Sequence, residues 1–255
     1  MKKIMFACDL DNTLIHSLKH KKDDDVCIER IGDKEQGFMS QRTLELLNQL
    51  SNEVEIIPIT TRSIEQYKRI VWPNGNTPRF AVVSNGAILL DNGFPQKAWK
   101  EKHDKLVAPL SSTMKRIEEE LIKQNKYIRV RIVDDMYVFA YCKDGVNIND
   151  CVLENKLQTE FNVVSSGRKL YFFPHEIDKG NALQELKSMF SPELIISAGD
   201  SSIDLPMLDR SDIAIVPSSF LAEKIRNSQV YLKNKEELFA EFVLTKVKEL
   251  VGKII

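Results

Sequence analysis

Cysteine is scarce in this sequence, and the four that occur form no recognisable pairs. Cys8, Cys27, Cys142 and Cys151 include no C-x-x-C pair and no spacing typical of a zinc site. We therefore expect neither a zinc centre nor a disulfide framework, and a reducing compartment is the simplest interpretation.

An excess of charge of one sign is also missing, because 36 basic residues face 37 acidic residues. Without a global positive field, we expect neither nucleic acid nor a membrane surface as a partner. Asp9 and Asp11 interrupt the first apolar stretch too early for a signal peptide or a spanning helix. We therefore expect a cytoplasmic protein, either a monomer or a weak dimer.

What is present is an ordinary globular composition, with 43% apolar and 29% charged residues in a chain of 255. The sequence has no internal repeat of fixed period and no low-complexity segment. This length suits one large domain, or a core into which a smaller domain is inserted.

The stretch Phe6 to Ser17, FACDLDNTLIHS, organises the rest of the chain. The residues before Asp9, Ile4 to Cys8, have too few polar side chains for a half-exposed strand and predict the buried middle of a parallel sheet. Asp9 and Asp11 follow at its carboxyl end, where ligands bind in such sheets, and Asn12 tolerates a left-handed turn. Two close carboxylates repel, so a hard divalent ion such as Mg²⁺ would suit them. The alternative is a plain polar turn after a strand.

A second apolar strand, Val54 to Ile59, is followed by the hydroxyls of Thr60 and Thr61 and then by a predicted amphipathic helix. A hydroxyl beside a helix N-terminus is suited to phosphate. The alternative is that Thr60 and Ser63 only cap that helix.

Two later segments add charged groups at the predicted sheet edge. Lys179 stands in the first turn of a helix capped by Asp178, where a lysine opposes the helix dipole unless it faces an anion. The apolar strand Leu194 to Ala198 runs into Asp200 and Asp204. Because the ends of parallel strands share one edge, these groups should lie near Asp9.

Between the third strand, Phe80 to Ser84, and Lys179, the alternating strand and helix pattern gives way to an antiparallel α+β module. Asp134-Asp135 and Ser166-Gly167 are hairpin signals between its strands. The predicted elements are helices near 109–125 and 148–160 and strands 127–133, 136–142, 161–165 and 169–173. Earlier, a flap or hairpin over the site is predicted in the charge-rich stretch 18–36, which includes a short alternating segment at 26–31. A solvated loop is the alternative for its KHKKDDD run.

Taken together, four groups of residues resemble the four motifs of the haloacid dehalogenase superfamily, in the same order. They are Asp9-Leu-Asp11-Asn-Thr13, Thr60, Lys179 and Gly199-Asp200-x-x-x-Asp204. The module resembles the superfamily's second type of cap, and the whole chain looks most similar to the sucrose-phosphate-phosphatase and Cof-like branch. The resemblance implies an α/β fold, with a Rossmann-like parallel-sheet core at 1–86 and 174–255 and an inserted α+β cap domain at 87–173.

The resemblance also implies a role for each motif residue. Asp9 would form an aspartyl-phosphate, and Asp11 would act as acid and then base. Thr60 or Thr61, with Thr60 preferred, and Lys179 would bind the phosphoryl oxygens. The metal group would be Asp9, the backbone of Asp11, Asp200 and Asp204, the last through water or by orienting Lys179. Asn12 and Thr61 depart from the pattern, since both stand where glycine is common.

The function implied is a magnesium-dependent phosphatase that acts on a small phosphorylated substrate, most simply a sugar phosphate. Four cap residues, Arg129, Arg131, Arg168 and Lys169, are candidates to contact the organic part, together with Tyr171; each could instead be an ordinary exposed strand residue. Two alternatives are a phosphomutase or phosphotransferase that uses the same groups, and a non-catalytic protein that binds a phosphate ligand.

Overall fold

The computed structural model describes residues 3–72, 75, 77–155, 159–233 and 236–253. The strands are β1 (Ile4–Cys8), β2 (His16–Ser17), β3 (Val26–Ile31), β4 (Lys34–Met39), β5 (Glu55–Pro58), β6 (Phe80–Val83), β7 (Ile88–Asp91), β8 (Phe94–Pro95), β9 (Tyr127–Val133), β10 (Tyr137–Cys142), β11 (Phe161–Ser166), β12 (Lys169–Pro174), β13 (Leu194–Ala198), β14 (Ile213–Val216) and β15 (Gln229–Leu232). The helices are α1 (Gln41–Leu50), α2 (Ile64–Lys68), α3 (Lys97–Val107), α4 (Ser111–Lys123), α5 (Ile148–Asn155), α6 (Lys179–Phe190), α7 (Leu205–Leu208), α8 (Ser219–Ala222) and α9 (Phe239–Val251).

A five-stranded parallel sheet in the order β15-β14-β13-β1-β5 forms the centre of the core. Every side chain of β1 is buried, as expected for a strand covered on both faces. In the register, Cys8 lies opposite Ala198 on one side and Pro58 on the other. The carboxyl ends of β1, β5 and β13 therefore meet at one edge.

The inserted module is a four-stranded antiparallel sheet in the order β11-β12-β10-β9. One face packs against α4 and α5 through side chains such as Val138, Leu170 and Phe172. The other face carries two cross-strand rows. They are Arg131, Phe139, Tyr171 and Val164, and Arg129, Tyr141, Lys169 and Ser166. The α/β fold with an inserted α+β domain is as predicted.

The segment just after β6 stays with the core. β7 pairs with β6, and the Trp99 indole of α3 donates to the Gly86 carbonyl at 3.2 Å. Trp99 also packs in a cluster with Leu183 of α6. The predicted division into a core at 1–86 and 174–255 and a cap at 87–173 stays a prediction. Because α3 packs on the core, we propose that the cap itself begins after α3.

Several predicted elements shift in the structure, and α3 and β15 were not predicted. The buried side of α3 is only Trp99, His103 and Val107, one residue per turn, which is too narrow a stripe to stand out. β15 is a half-exposed edge strand of four residues. The apolar residues at 222–225 and at 236–251 predict two closing helices. The structure places these helices at Ser219–Ala222 and Phe239–Val251. The predicted helix 148–160 spans Ile148–Asn155 in the structure. Residues 156–158 lie outside the described residues, and 159–160 form a turn, so the predicted end at 160 is wrong.

The predicted hairpin near the site is present as β3 and β4, with β2 on the outer side of β4. It brings Glu29 toward the core, where the side chain is only 5% exposed. No helix in the described ranges combines the length and hydrophobicity that crossing a bilayer requires.

Candidate active site

The turn after β1 presents Asp9 at the centre of the sheet edge. The Asp9 amide donates to the Ala198 carbonyl at 2.9 Å, which continues the pairing of β1 with β13 by one residue. Asn12 then adopts φ 61°, and the Leu10 carbonyl accepts from the Leu14 amide at 2.9 Å. The left-handed asparagine closes this turn, so glycine is not needed there.

Lys179 reaches the same place from the first turn of α6, and its side chain is only 1% exposed. Its Nζ donates to Asp9 Oδ1 at 2.5 Å and to Asp204 Oδ1 at 2.6 Å. Asp178 caps the helix by accepting from the Asn181 amide, as predicted. The lysine that opposes the helix dipole thus faces two carboxylates.

Asp204 fixes the loop that carries Asp200. Its Oδ2 accepts from the Asp200 amide at 3.1 Å and from the amide and hydroxyl of Ser201, both at 2.9 Å. A Cβ on Gly199 would overlap the Asp204 side chain, so glycine allows this close approach. Both oxygens of Asp204 are therefore engaged, one by Lys179 and one by the loop.

Asp9, Asp200 and Asp204 each have a carboxylate oxygen within 4.8 Å of the other two. Burial raises the pKa of Asp9 to about 8, with Asp204, Asp200 and Asp11 adding to the rise and Lys179 opposing it. Burial, reinforced by Asp204, raises the pKa of Asp200 to about 7. The pKa of Lys179 is also raised, because Asp204 and Asp9 outweigh the effect of its burial. This oxygen-only cluster fits a hard divalent cation such as Mg²⁺.

Asp11 is held by an arginine. Arg62 donates from Nε to Oδ2 at 2.9 Å and from Nη2 to Oδ1 at 2.8 Å, and its Nη1 lies 2.8 Å from Glu29 Oε2. Burial alone would raise the pKa of Asp11, but Arg62 outweighs it and the pKa is lowered. Glu29 could not be identified from the sequence, since one glutamate in a short alternating strand is usually exposed.

The two threonines that follow β5, Thr60 and Thr61, lie in different surroundings. Thr60 is fully buried, and its hydroxyl accepts from the Arg62 amide at 3.2 Å. Thr61 lines two cavities beside Asp11, and its carbonyl accepts from the Tyr137 hydroxyl at 2.6 Å. The helix cap is Ser63, which accepts from the Gln66 amide. That Thr60 rather than Thr61 binds phosphate stays a prediction.

The cap sheet brings some of the predicted contact residues to the core and not others. Arg131, Lys169 and Tyr171 line the boundary with Asp11. Arg168 instead binds the Cys142 carbonyl and ion-pairs with Asp144. Arg129 is exposed and lines none of the cavities described next.

Described residues line three cavities along the boundary between cap and core. The nucleophile cavity, about 30 Å³, contains Asp9, Lys179, Asp200 and, from the cap, Ser166, which was not predicted. The Asp11-side cavity, about 60 Å³, adjoins it. The β11-side cavity, about 440 Å³, lies beyond Ile203 and includes Asn85 and Asn162.

The geometry can be set against known proteins. A family model described as sucrose-6F-phosphate phosphohydrolase matches residues 2–242. The chain belongs to this family. As a member of the haloacid dehalogenase superfamily of the sucrose-phosphatase type, it is a phosphoric monoester hydrolase.

Solved structures share the fold of this family member. The sucrose-phosphatase of Synechocystis sp. PCC6803, solved with sucrose and phosphate, matches with a TM-score of 0.67 and 14% identity over 99% of each chain. The C-terminal domain of C. albicans trehalose-6-phosphate phosphatase has a TM-score of 0.61 and 13% identity over 98% of this chain and 92% of that chain. A haloacid dehalogenase-like hydrolase from B. subtilis has a TM-score of 0.60 and 17% identity over 94% and 98%. Among curated protein sequences, no significant match was found.

Proposed function

We propose that this family member is a magnesium-dependent phosphatase that hydrolyses a small phosphorylated metabolite, a sugar phosphate, through an aspartyl-phosphate on Asp9. The observation that carries the proposal is the meeting of Asp9, Lys179 and Asp200 at one cavity, although they come from three distant segments of the chain. The sugar-phosphate class is supported by the family description and by the neighbour solved with sucrose and phosphate.

In the first step, a carboxylate oxygen of Asp9 attacks phosphorus, and the ester bond to the leaving alcohol breaks. The Lys179 ammonium, 2.5 Å from Asp9, would bind a phosphoryl oxygen and keep the attacking carboxylate in place. Asp11 would supply the proton that the leaving oxygen needs. A phosphate dianion beside Asp11 would raise its pKa and so oppose the effect of Arg62.

In the second step, water attacks the phosphorus of the aspartyl-phosphate and releases Asp9. Asp11 would accept the proton from that water. Arg62 favours the ionised form of Asp11, which is the form that this step requires. The same carboxyl thus gives a proton in one step and takes one in the next.

The chemistry of the donors indicates how Mg²⁺ would be held. Asp9 and Asp200 would provide carboxylate oxygens and Asp11 its backbone carbonyl, whereas Asp204, with both oxygens engaged, would orient Lys179. When bound, the ion would neutralise charge on the phosphoryl group. It would also replace the protons that burial favours on Asp9 and Asp200.

The test is phosphate release from p-nitrophenyl phosphate by pure protein, with and without Mg²⁺. Asp9→Asn should lower kcat by at least about 10³-fold, because the amide is a poor nucleophile. Asp24→Asn, at an exposed site, is the matched control. In labelled water, one solvent oxygen should enter each phosphate released. Full activity of Asp9→Asn, or turnover independent of divalent ions, would contradict the proposal.

A further inference from the structure

The end of the β11–β12 hairpin brings a lysine of the cap to the reaction centre. Ser166, the last residue of β11, lies opposite Lys169, the first residue of β12. Both residues line the nucleophile cavity, which they share with Asp9 and Lys179 of the core. Lys169 therefore lies beside the carboxylate that would be phosphorylated, and not only beside the organic part of the substrate.

The charges around Lys169 agree with this placement. The pKa of Lys169 is raised, and Tyr171 contributes most to the rise. The carboxylates of Asp11 and Asp9 add to it, whereas burial and Arg62 oppose it. The ammonium is thus attracted by both carboxylates of the first motif. Among the described residues, however, no carboxylate forms a direct ion pair with it.

A space therefore separates the Lys169 ammonium from the two carboxylates, and its size suits the transferring group. The nucleophile cavity has a volume of about 30 Å³. It has room for about two or three oxygen-sized groups, since a water molecule needs roughly 10–15 Å³ measured in this way. A transferring phosphoryl group has three equatorial oxygens. The organic part of the substrate, whether neutral or charged, would lie elsewhere along the boundary.

The cations that the core supplies are already engaged by carboxylates. Lys179 donates to Asp9 and Asp204, and the Arg62 guanidinium is bound by Asp11. An incoming phosphate dianion must approach these carboxylates, and their negative charge opposes its binding. A further ammonium at the same cavity lowers that cost, and it also stabilises the charge on the equatorial oxygens in the transition state.

We propose that Lys169 is a catalytic residue supplied by the cap, whose ammonium binds an equatorial oxygen of the transferring phosphoryl group while Lys179 binds another from the core. This inference rests on the proposed phosphatase function and deepens it. Lys169 stays protonated and forms no covalent bond in either step. The phosphoryl site is then complete only when the cap lies on the core, so hydrolysis depends on cap closure for any substrate.

Two aryl esters with different leaving groups test the inference. Lys169→Gln should lower kcat/KM by roughly 10- to 100-fold for p-nitrophenyl phosphate and phenyl phosphate alike, because both carry the same phosphoryl group. If Lys169 bound only the sugar of a natural substrate, both aryl esters would be unaffected. If it bound the leaving oxygen, phenyl phosphate would lose more, since its leaving group is more basic. Either of these results would overturn the inference.

Two further variants separate this role from an effect on the cap. Lys169 is exposed to the cleft, so its replacement should not unfold the protein. Lys169→Arg keeps the charge and should retain more activity than Lys169→Gln. Lys115→Gln is the matched control, because it removes the same charge from an exposed position on α4, on the other side of the cap sheet. Equal losses for Lys115→Gln and Lys169→Gln would contradict a contact with the phosphoryl group.

Binding of inorganic phosphate gives a measurement that does not depend on turnover. Titration calorimetry with Mg²⁺ present should show a Kd for phosphate that is about 10-fold higher in Lys169→Gln and unchanged in Lys115→Gln. If the wild type hydrolyses p-nitrophenyl phosphate but Lys169→Gln changes neither rate nor phosphate binding, only the inference fails. If the wild type hydrolyses no ester while Lys169→Gln weakens phosphate binding, the proposed function fails and the phosphate contact of Lys169 stands.

Discussion

At the scale of single residues, most charged side chains of the site form ion pairs with one another. Lys179 would be unfavourable in the first turn of an exposed helix, yet it is buried between Asp9 and Asp204. That misplacement was visible in the sequence, because a cation opposes the positive end of the helix dipole. Glu29 gave no such signal, since its partner Arg62 lies 33 positions along the chain and only folding brings the two together.

The Arg62 network makes a prediction about stability. Arg62→Gln leaves Glu29, 5% exposed, with Arg69 as its remaining cation at 3.1 Å. Breaking a buried ion pair costs about 3–5 kcal/mol, and the second arginine should reduce this to about 2–3 kcal/mol. Urea unfolding measures the free-energy difference.

Arg79→Gln is the matched control, because Arg79 is 61% exposed and pairs with Asp91 on the surface. Such a pair contributes about 0–1 kcal/mol. If the two variants lose equal stability, the buried network does not have the structural role that we assign to it.

At the scale of elements, the β9–β10 hairpin joins cap to core. Its turn residues Asp134 and Asp135 have φ 48° and 63°, the left-handed pair that the hairpin signal predicted. Asp134 Oδ2 accepts from the Ile64 amide at 2.9 Å and from the Ser84 hydroxyl. The turn thus has two roles. Its backbone joins β9 to β10, and the Asp134 side chain binds the cap to the core through these two hydrogen bonds.

Removing the hydrogen bonds of Asp134 should weaken substrate binding more than it slows the chemical step. Asp134→Gly keeps the left-handed turn but removes both hydrogen bonds, which are each worth about 1.5–3 kcal/mol when one partner is charged. We expect the KM of the preferred substrate to rise by about 5- to 50-fold, with kcat for p-nitrophenyl phosphate nearly unchanged.

Asp135→Gly is the control for that measurement, because Asp135 has the same backbone conformation and an exposed side chain. Steady-state kinetics on both variants decides the matter. Equal kinetics for Asp134→Gly and Asp135→Gly would show that the hydrogen bonds of Asp134 do not affect substrate binding.

At the scale of the whole molecule, the acidic cluster couples metal binding to folding. The pKa of Asp9 is raised to about 8 and that of Asp200 to about 7 by burial, from a value of 3.8 in the unfolded chain. The native state therefore keeps protons that the unfolded chain has lost. Between about pH 4 and pH 8, the metal-free protein should lose stability as the pH rises.

Mg²⁺ should oppose that loss, since it would take the place of the protons. The rise in melting temperature on adding Mg²⁺ should be larger near pH 8 than near pH 6, and Asp200→Asn should reduce it. Scanning calorimetry at both pH values measures this. A larger magnesium effect at the lower pH would contradict the assignment of the cluster.

The oligomeric state is a separate prediction. Analytical ultracentrifugation of the pure protein can test whether it is a monomer or a weak dimer.

The sequence by itself determined the buried strand β1, the order of the four motifs, and the meeting of Asp9 and Asp200 at one sheet edge. These follow from local patterns, because apolar runs define parallel strands and the ends of such strands share an edge. It also determined the antiparallel character of the insertion, through its hairpin signals.

Only the tertiary structure decided that Arg62 holds Asp11 against Glu29, that Thr61 rather than Thr60 borders the cavities, and that Arg131 and Lys169 face the core while Arg168 does not. A strand's alternation tells which residues share a face, but not which face meets the core. That choice depends on how the cap sheet packs against a segment far away in the chain, and no local pattern encodes it.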